Sequence, residues 1–159
     1  MIVVSNSGPI ISFARASSLD ILRQVLKEII IPSAVYEDIV LQGGIKPGAI
    51  EIKNATWVKR EIIRNISQVN QLPLSLGLGE REAIILAEEL KAFLLIDDRS
   101  ARKEAEKRGI ACFGSLRVLK EAKEKRLVEK IRPIGDELRS TGLRIKNALY
   151  QKFLQEIGE

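Results

Sequence analysis

The segment Gly77–Ser100, with the sequence GLGEREAIILAEELKAFLLIDDRS, decides the fold class of this chain. Its first half predicts a helix over Gly79–Leu90, because apolar residues recur at the spacing of one helical face, at Ala83, Leu86, Ala87 and Leu90. The apolar run Phe93–Ile96 then predicts a buried strand, and Asp97 and Asp98 follow it directly. A helix that leads into a short, wholly apolar strand is typical of a parallel sheet covered by helices.

The same alternation of short strands and helices continues on both sides of this segment. Strands are predicted at Met1–Ser5, Glu28–Ile31, Trp57–Ile63, Phe93–Ile96 and Ile110–Phe113. Helices are predicted at Ile10–Ala16, Ser18–Glu28, Ser33 to about Gln42, Pro47–Ala55, Gly79–Leu90, Arg99–Arg108, Leu116–Arg126, Pro133–Thr141 and Arg144–Glu156. Ser33 is the predicted N-cap of its helix, and Arg64–Leu78 is predicted to be loop because it has no periodicity. The chain is therefore predicted to form a three-layer α/β/α sandwich around a mostly parallel sheet of about five strands.

Length and composition indicate one ordinary domain over residues 1–159, since no repeat or linker interrupts the chain. The amphipathic helical patterns of about residues 133–157 are expected to pack on this domain or to form a dimer or partner interface. No apolar run approaches the roughly 18 residues of a membrane span. The start MIVVSNSG also lacks the basic and apolar regions of a signal peptide. We therefore expect a cytoplasmic protein without membrane association.

Residues that are absent exclude several kinds of chemistry. The chain has no histidine, which excludes Ser-His-Asp and Cys-His catalysis and any histidine-bound metal. Cys112 is the only cysteine, so neither an intrachain disulfide nor a redox pair can form. The net charge of +5 favours polyanionic partners, although a solvated surface rich in Lys and Glu explains it about equally well. What remains is chemistry by carboxylates, cationic side chains and hydroxyls, or by a hard metal held through oxygen atoms.

Two pairs of acids lie close to the predicted fourth strand. Asp97 and Asp98 follow that strand, where ligands of parallel α/β sheets bind. Glu80 and Glu82 open the helix before it and flank its apolar stripe on opposite sides. Each of these acids could instead serve the helices, because Asp98 can cap its helix and acids in a first turn interact well with the helix dipole.

A third pair of acids lies in the helix after the second strand. Val35 and Ile39 define its buried face, and Asp38 lies at the border of that face. Glu37 points nearly the opposite way. Asp38 is therefore the better candidate for a functional acid, although a solvated acid at such a border is equally common.

Taken together, these segments resemble the PIN-domain family, in particular small prokaryotic PIN-like proteins related to VapC-type toxins. The resemblance covers nearly the whole chain and depends on order and spacing, since no single segment is specific. The segments are IVVSNSGPIISFAR (2–15), IIIPSAVYEDIV (29–40), GLGEREAIILA (77–87), LLIDDRSARKEAEKRGI (94–110), GSLRVLKEAKEKRLV (114–128) and IRPIGDELRSTGLRI (131–145). The resemblance implies a ribonuclease for single-stranded RNA that holds Mg²⁺ or Mn²⁺ with three or four acids. It also implies a toxin-like protein with an antitoxin partner and a homodimer.

The resemblance assigns roles to the acids by position. Asp38, Glu82 and Asp98 match the catalytic acids. Glu37, Glu80 and Asp97 stand beside them as alternative or additional metal ligands. Ser7 corresponds to the small polar residue after the first acid of the family, and it is assigned to substrate binding. Arg15, Arg99 and Arg102 are further candidates for contacts with the phosphate backbone, although each is more often a plain surface charge.

The first acid of the family is absent, because Asn6 stands at that position. An asparagine can offer its carbonyl oxygen to a cation, but it is neutral and cannot act as a base. We therefore expect metal affinity and turnover below those of fully acidic relatives.

Two other function classes remain open from the sequence. A catalytically inactive PIN-like protein that binds nucleic acid is compatible with Asn6 and the basic charge. A phosphoacceptor protein of the response-regulator kind is disfavoured, because the strand Ile110–Phe113 is followed by Gly114 and Ser115 where such a protein needs a lysine.

Overall fold

Five short strands form one parallel sheet in the computed structural model, which describes residues 1–159. The strands are β1 (Val3–Ser5), β2 (Ile29–Pro32), β3 (Val58–Glu61), β4 (Phe93–Leu95) and β5 (Cys112–Phe113). Their order across the sheet is β3-β2-β1-β4-β5, and every neighbouring pair is parallel. This order differs from the 2-1-3-4-5 order of response regulators, so the phosphoacceptor alternative does not fit the fold.

Ten α-helices connect and cover the strands. They are α1 (Ser7–Arg15), α2 (Leu19–Leu26), α3 (Ser33–Tyr36), α4 (Ala49–Asn54), α5 (Ile66–Gln71), α6 (Leu78–Leu90), α7 (Arg99–Lys107), α8 (Ser115–Glu124), α9 (Arg132–Ser140) and α10 (Asn147–Glu156). A π-helical turn, Glu37–Leu41, continues α3. None of the helices is both long and apolar enough to cross a membrane.

Two apolar cores lie on opposite faces of the sheet, because successive strand residues point to opposite sides. Val3 of β1 and Leu95 of β4 belong to one core, whereas their neighbours Val4 and Leu94 belong to the other. Helices α1, α2, α8, α9 and α10 supply side chains to the first core, and helices α5, α6 and α7 supply them to the second. The predicted three-layer α/β/α fold is confirmed.

Three local predictions differ from the structure. Arg64–Leu78 contains α5, whose start is held by Glu89 as the acceptor of the Arg64 and Asn65 backbone N–H groups at 2.9 and 2.7 Å. Ser33 is the first residue of α3 and not its cap, since Pro32 holds the cap position. The helix predicted to reach Gln42 keeps α-helical geometry only as far as Tyr36. Glu89 is distant in the chain, so local patterns do not report its contact with α5, whereas the cap of α5 is local, because Asn65 Oδ1 accepts the Gln68 N–H at 3.3 Å.

Glu159 connects helix α8 to the start of helix α9. The Glu159 carboxylate accepts hydrogen bonds from Lys123 at 2.8 Å and from the backbone N–H groups of Ile131 and Arg132. Burial alone would raise the pKa of Glu159, but these donors outweigh it and lower the pKa from 4.5 to about 2. The side chain is only 9% exposed, so solvent screens these bonds weakly.

Replacing this carboxylate by an amide should destabilise the protein at neutral pH. We expect Glu159→Gln to lower the free energy of unfolding by about 1–2 kcal/mol at pH 7, since hydrogen bonds to a charged group are lost. A carboxyl with a lowered pKa stabilises the fold above its usual pKa and ceases to do so as pH falls through its folded value. The difference should therefore shrink between pH 4.5 and about 2 in urea titrations. The exposed Glu156→Gln on α10 is the control, and an equal loss in both variants would contradict the role of Glu159.

Candidate active site

The carboxyl ends of β1 and β4 meet at the point where the strand order reverses. Ser5 pairs with Leu95, so Asn6 after β1 lies beside the chain that leads to Asp97 and Asp98 after β4. The Asn6 backbone N–H reaches the Leu95 carbonyl at 3.4 Å. Open parallel sheets bind ligands just outside the point where the strand order reverses. This edge of the sheet is therefore the expected position of a ligand site.

Asn6 carries an unsatisfied acceptor at this edge. Its side chain is buried, with a relative exposure of 5%, and its Oδ1 atom has no hydrogen-bond partner. Asn6 occupies the N-cap position of α1, yet its side chain makes no capping bond. A buried polar atom without a partner costs free energy unless an ion, a water molecule or a ligand completes it.

Asp38 lies on the π-helical turn that follows α3. Turns of this kind are rare and are frequently found at functional sites. Asp38 and Glu37 are both exposed, and together with Ser7 and Glu80 they line a cavity of about 330 Å³. Burial of its carboxylate raises the pKa of Asp38, and the neighbouring charge of Glu37 raises it further.

A glycine at the start of α6 allows that helix to approach Asp38. A Cβ atom on Gly79 would lie 2.9 Å from Asp38 Oδ2 and 3.3 Å from Val35 Cγ2. The first of these distances is too short for ordinary contact, so a larger residue would displace the carboxylate. Gly79 therefore belongs to the candidate site. Only its place in the GLGE motif could have indicated this from the sequence.

Glu80 and Asp98 are electrostatically coupled across this edge. Burial raises the pKa of Glu80, and the negative charge of Asp98 raises it further. Asp98 is exposed and also caps α7, because its Oδ2 atom accepts the Ala101 N–H at 2.8 Å. One oxygen of Asp98 remains free of such a bond.

Glu82 and Asp97 are already bound by protein groups. Glu82 Oε1 accepts the Ala34 N–H at 3.1 Å and so satisfies a donor at the start of α3. Asp97 accepts the Ser115 N–H at 2.8 Å and the Ser115 hydroxyl at 2.6 Å. Burial raises the pKa of Asp97, although the bonds from Ser115 and the charge of Arg102 oppose that shift. Both acids thus connect secondary-structure elements in addition to any role toward a ligand.

The structure brings the predicted acids to one edge without closing them into a cage. Glu37, Asp38 and Glu80 share one cavity, and Asp98 acts on Glu80, but no three acidic side chains lie close enough to hold one ion. The donors nonetheless suit a hard cation, because all of them are oxygen atoms. The unpaired Asn6 Oδ1 is the feature of this edge that an ion would complete.

The predicted cationic residues lie on two sides of the acids. Arg15 donates to the Thr141 carbonyl at 3.1 Å and lines a cavity of about 190 Å³ that also contains Asp38. Arg99 and Arg102 line another cavity, of about 680 Å³, next to Asp97. Sequence reasoning missed three further cations of that cavity, and their wide separation in the chain gives no signal for them. They are Arg117, Arg144 and Lys146.

Comparison with known proteins identifies a family and a related solved structure. A family model described as a PIN domain (DUF3368) matches residues 2–159. A solved PilT N-terminus domain protein from the hyperthermophilic archaeon Sulfolobus solfataricus P2 is similar with a TM-score of 0.54 and 17% identity, over 92% of this chain and 98% of that chain. A likeness at this identity concerns the fold alone. No match is found among the curated proteins.

Proposed function

This chain belongs to the PIN domain family, and from that premise we propose that it is a divalent-metal-dependent endoribonuclease for single-stranded RNA. PIN domains are generally nucleases, and they generally use divalent metals. The family resemblance stated from the sequence is thus confirmed. The substrate and the metal dependence are the finer steps proposed for this chain.

One observation carries the proposal. The acids Asp38, Glu80 and Asp98 and the unpaired amide oxygen of Asn6 come from four separate segments and lie at one edge of the sheet. The negative charge of Asp98 contributes to the raised pKa of Glu80, and a bound cation would relieve this repulsion. Neither the proximity of Glu80 and Asp98 nor the unsatisfied Asn6 Oδ1 stabilises the fold, and a bound cation would explain both.

The residues of this edge have separable tasks in the proposed reaction. Asp38, Glu80 and Asp98 would approach Mg²⁺ or Mn²⁺ from separate segments, with Asn6 as a neutral fourth donor. Because no three acidic side chains are close enough to share an ion in this structure, these side chains would move inward when the cation binds. The cation would supply an activated water molecule and would neutralise charge on the phosphate in the transition state. Glu82 and Asp97 position α3 and α8 around the acids through their bonds to Ala34 and Ser115. Ser7, Arg15, Arg99 and Arg102 would orient the RNA.

We also propose the biological setting that the resemblance implies. The protein would act as the toxin-like member of a toxin–antitoxin pair in the cytoplasm, and it would form a homodimer. The C-terminal helices α9 and α10 would pack on the single domain, and their outer faces would remain available to such partners.

The proposed function is tested by exchanging neighbouring acids. We expect wild-type protein to cleave single-stranded RNA slowly in Mn²⁺, to leave duplex RNA intact, and to lose all cleavage in EDTA. Asp38→Asn should lower the rate at least about tenfold, because a ligand charge is removed. Glu37→Gln is the matched control, since it removes an adjacent exposed acid from the same cavity. The measurement is gel-resolved cleavage of a labelled RNA.

Three outcomes of this test decide between the readings. Cleavage that persists in EDTA, or that is unchanged in both variants, would contradict metal-dependent hydrolysis at these acids. A larger loss in Glu37→Gln than in Asp38→Asn would move the ligand to Glu37. Binding of RNA without any cleavage in Mn²⁺ would identify the inactive nucleic-acid-binding alternative that Asn6 favours.

A further inference from the structure

Five cationic side chains surround one cavity on the far side of Asp97. The cavity has a volume of about 680 Å³ and lies between the start of α7, the end of β5, the start of α8 and the segment before α10. Its cations are Arg99, Arg102, Arg117, Arg144 and Lys146, and Asp97 is the only acid that lines it. We call it the basic cavity.

Three of these cations are free to bind a ligand. Arg99, Arg144 and Lys146 are exposed and take part in none of the six side-chain ion pairs. Arg102 and Arg117 pair with exposed or partly exposed glutamates on their own helices, at 3.1 and 3.7 Å. Surface pairs of that kind contribute little stability, so both arginines can exchange them for a stronger acceptor.

The single acid of the basic cavity offsets only one of its five positive charges, although the charge of Arg102 acts on it. Both oxygens of Asp97 accept hydrogen bonds from Ser115, so the carboxylate is directed toward α8. A Cβ atom on Gly114 would lie 2.8 Å from Asp97 Oδ1, which shows how closely the backbone encloses that oxygen. The remaining lining thus presents an excess of positive charge to any ligand.

We propose that the basic cavity binds consecutive phosphates of a single-stranded nucleic acid that runs past the candidate active site. The inference rests on the proposed function, which supplies the class of substrate. Asp97 lines the basic cavity, and the next residue, Asp98, acts on Glu80. The basic cavity therefore adjoins the candidate metal ligands, and a nucleic-acid strand bound in it would pass beside them. Spaced cations along a backbone are the usual means of holding phosphates.

The apolar lining indicates binding that is independent of base sequence. Phe113 is buried, and the Arg117 guanidinium lies 5.7 Å from its ring centre, so this ring is not free to stack on a base. Ile145 and Leu149 offer apolar contact without hydrogen-bond donors for base edges. Affinity should therefore depend on phosphate contacts and fall steeply with salt.

The test removes two free cations and measures binding apart from cleavage. Fluorescence anisotropy of a labelled single-stranded RNA of about 12 nucleotides is recorded in EDTA over a series of KCl concentrations. The double variant Arg144→Ala/Lys146→Ala should weaken binding about tenfold near 0.1 M KCl and reduce the slope of log K against log salt by about 1.4. The loss should be equal for RNAs of different sequence. Arg23→Ala/Lys53→Ala, which removes two exposed cations outside the basic cavity, should leave the affinity within about twofold.

Each other result overturns the inference. Equal losses in both double variants would mean that overall charge, not the basic cavity, attracts the RNA. Unchanged binding in Arg144→Ala/Lys146→Ala would remove the cavity from the RNA path. Wild-type protein that binds a polyglutamate peptide as tightly as RNA would assign the basic cavity to an acidic protein segment. Because binding is measured without divalent metal, the expected result can hold even if wild-type protein never cleaves RNA, and the two failures remain distinguishable.

Discussion

Replacing Asn6 with aspartate is expected to raise Mn²⁺-dependent cleavage of single-stranded RNA at least about tenfold over wild type. The substitution adds a charged oxygen to the candidate site at the one position where the structure leaves an acceptor without a partner. Hard cations are held mainly by ligand charge, so metal affinity should rise together with the rate. The cleavage assay is run over a Mn²⁺ titration to separate the two effects.

The same variant should be less stable without metal. A carboxylate at position 6 would be buried at an edge that carries other acids, and burial of an unpaired charge either costs several kcal/mol or protonates the group. Binding of Mn²⁺ to the folded state would offset that cost by mass action. We therefore expect a lower melting temperature than wild type in EDTA and a larger gain than wild type on addition of Mn²⁺.

Melting curves make this prediction independent of activity. Asn6→Ala is the control, because it removes the unpaired oxygen without adding charge and should show the smallest Mn²⁺ gain of the three proteins. Equal Mn²⁺ gains in wild type, Asn6→Asp and Asn6→Ala would place the ion elsewhere. Strong and equal cleavage by wild type and Asn6→Asp would show that the missing acid is unimportant here.

Asp98→Asn is expected to lower cleavage about 100-fold while leaving the fold intact. Asparagine caps helices about as well as aspartate, so the bond to the Ala101 N–H should persist and the free energy of unfolding should change by less than about 0.5 kcal/mol. What the variant loses is the charge that acts on Glu80. The assay is run in wild type and in the Asn6→Asp background, where the higher rate widens the measurable range.

A second substitution at Asp98 separates capping from chemistry. Asp98→Ala should lose the same cleavage and also about 1 kcal/mol of stability, because the cap of α7 is removed. If Asp98→Asn kept full activity and only Asp98→Ala lost it, the residue would be a cap and nothing more.

Local patterns were sufficient for most of the fold because its strands are short and mostly apolar, with β3, whose sequence is VKRE, as the exception. The alternation of strands and helices predicted all five strands. Gly109 follows the end of α7 with a φ of +78°, a left-handed conformation that glycine adopts readily. The helix α5 escaped prediction because its six residues show no apolar periodicity, and because part of the support at its start comes from Glu89, which lies more than twenty positions away in the chain.

The candidate site was harder to predict from the sequence, because the availability of each acid for a ligand depends on its hydrogen-bond partners in the folded protein. Asp38 and Asp98 remain available on the surface. By contrast, one oxygen of Glu82 accepts a hydrogen bond from the Ala34 N–H, and both oxygens of Asp97 accept hydrogen bonds from Ser115. Residue type and spacing in the sequence do not distinguish an acid that accepts hydrogen bonds from the protein from one that is left without such a bond. The cations at positions 117, 144 and 146 join residues 99 and 102 only through the tertiary fold.

The hydrogen bonds that Ser115 donates to Asp97 also have a consequence during synthesis of the chain. Every acid of the candidate site precedes residue 99, yet Asp97 obtains both of its donors from Ser115, which lies 18 positions further along the chain. A nascent chain released or cut before Ser115 would therefore contain all the acids while one of them lacked its support. Assembly of this edge is thus tied to synthesis of the chain at least as far as Ser115.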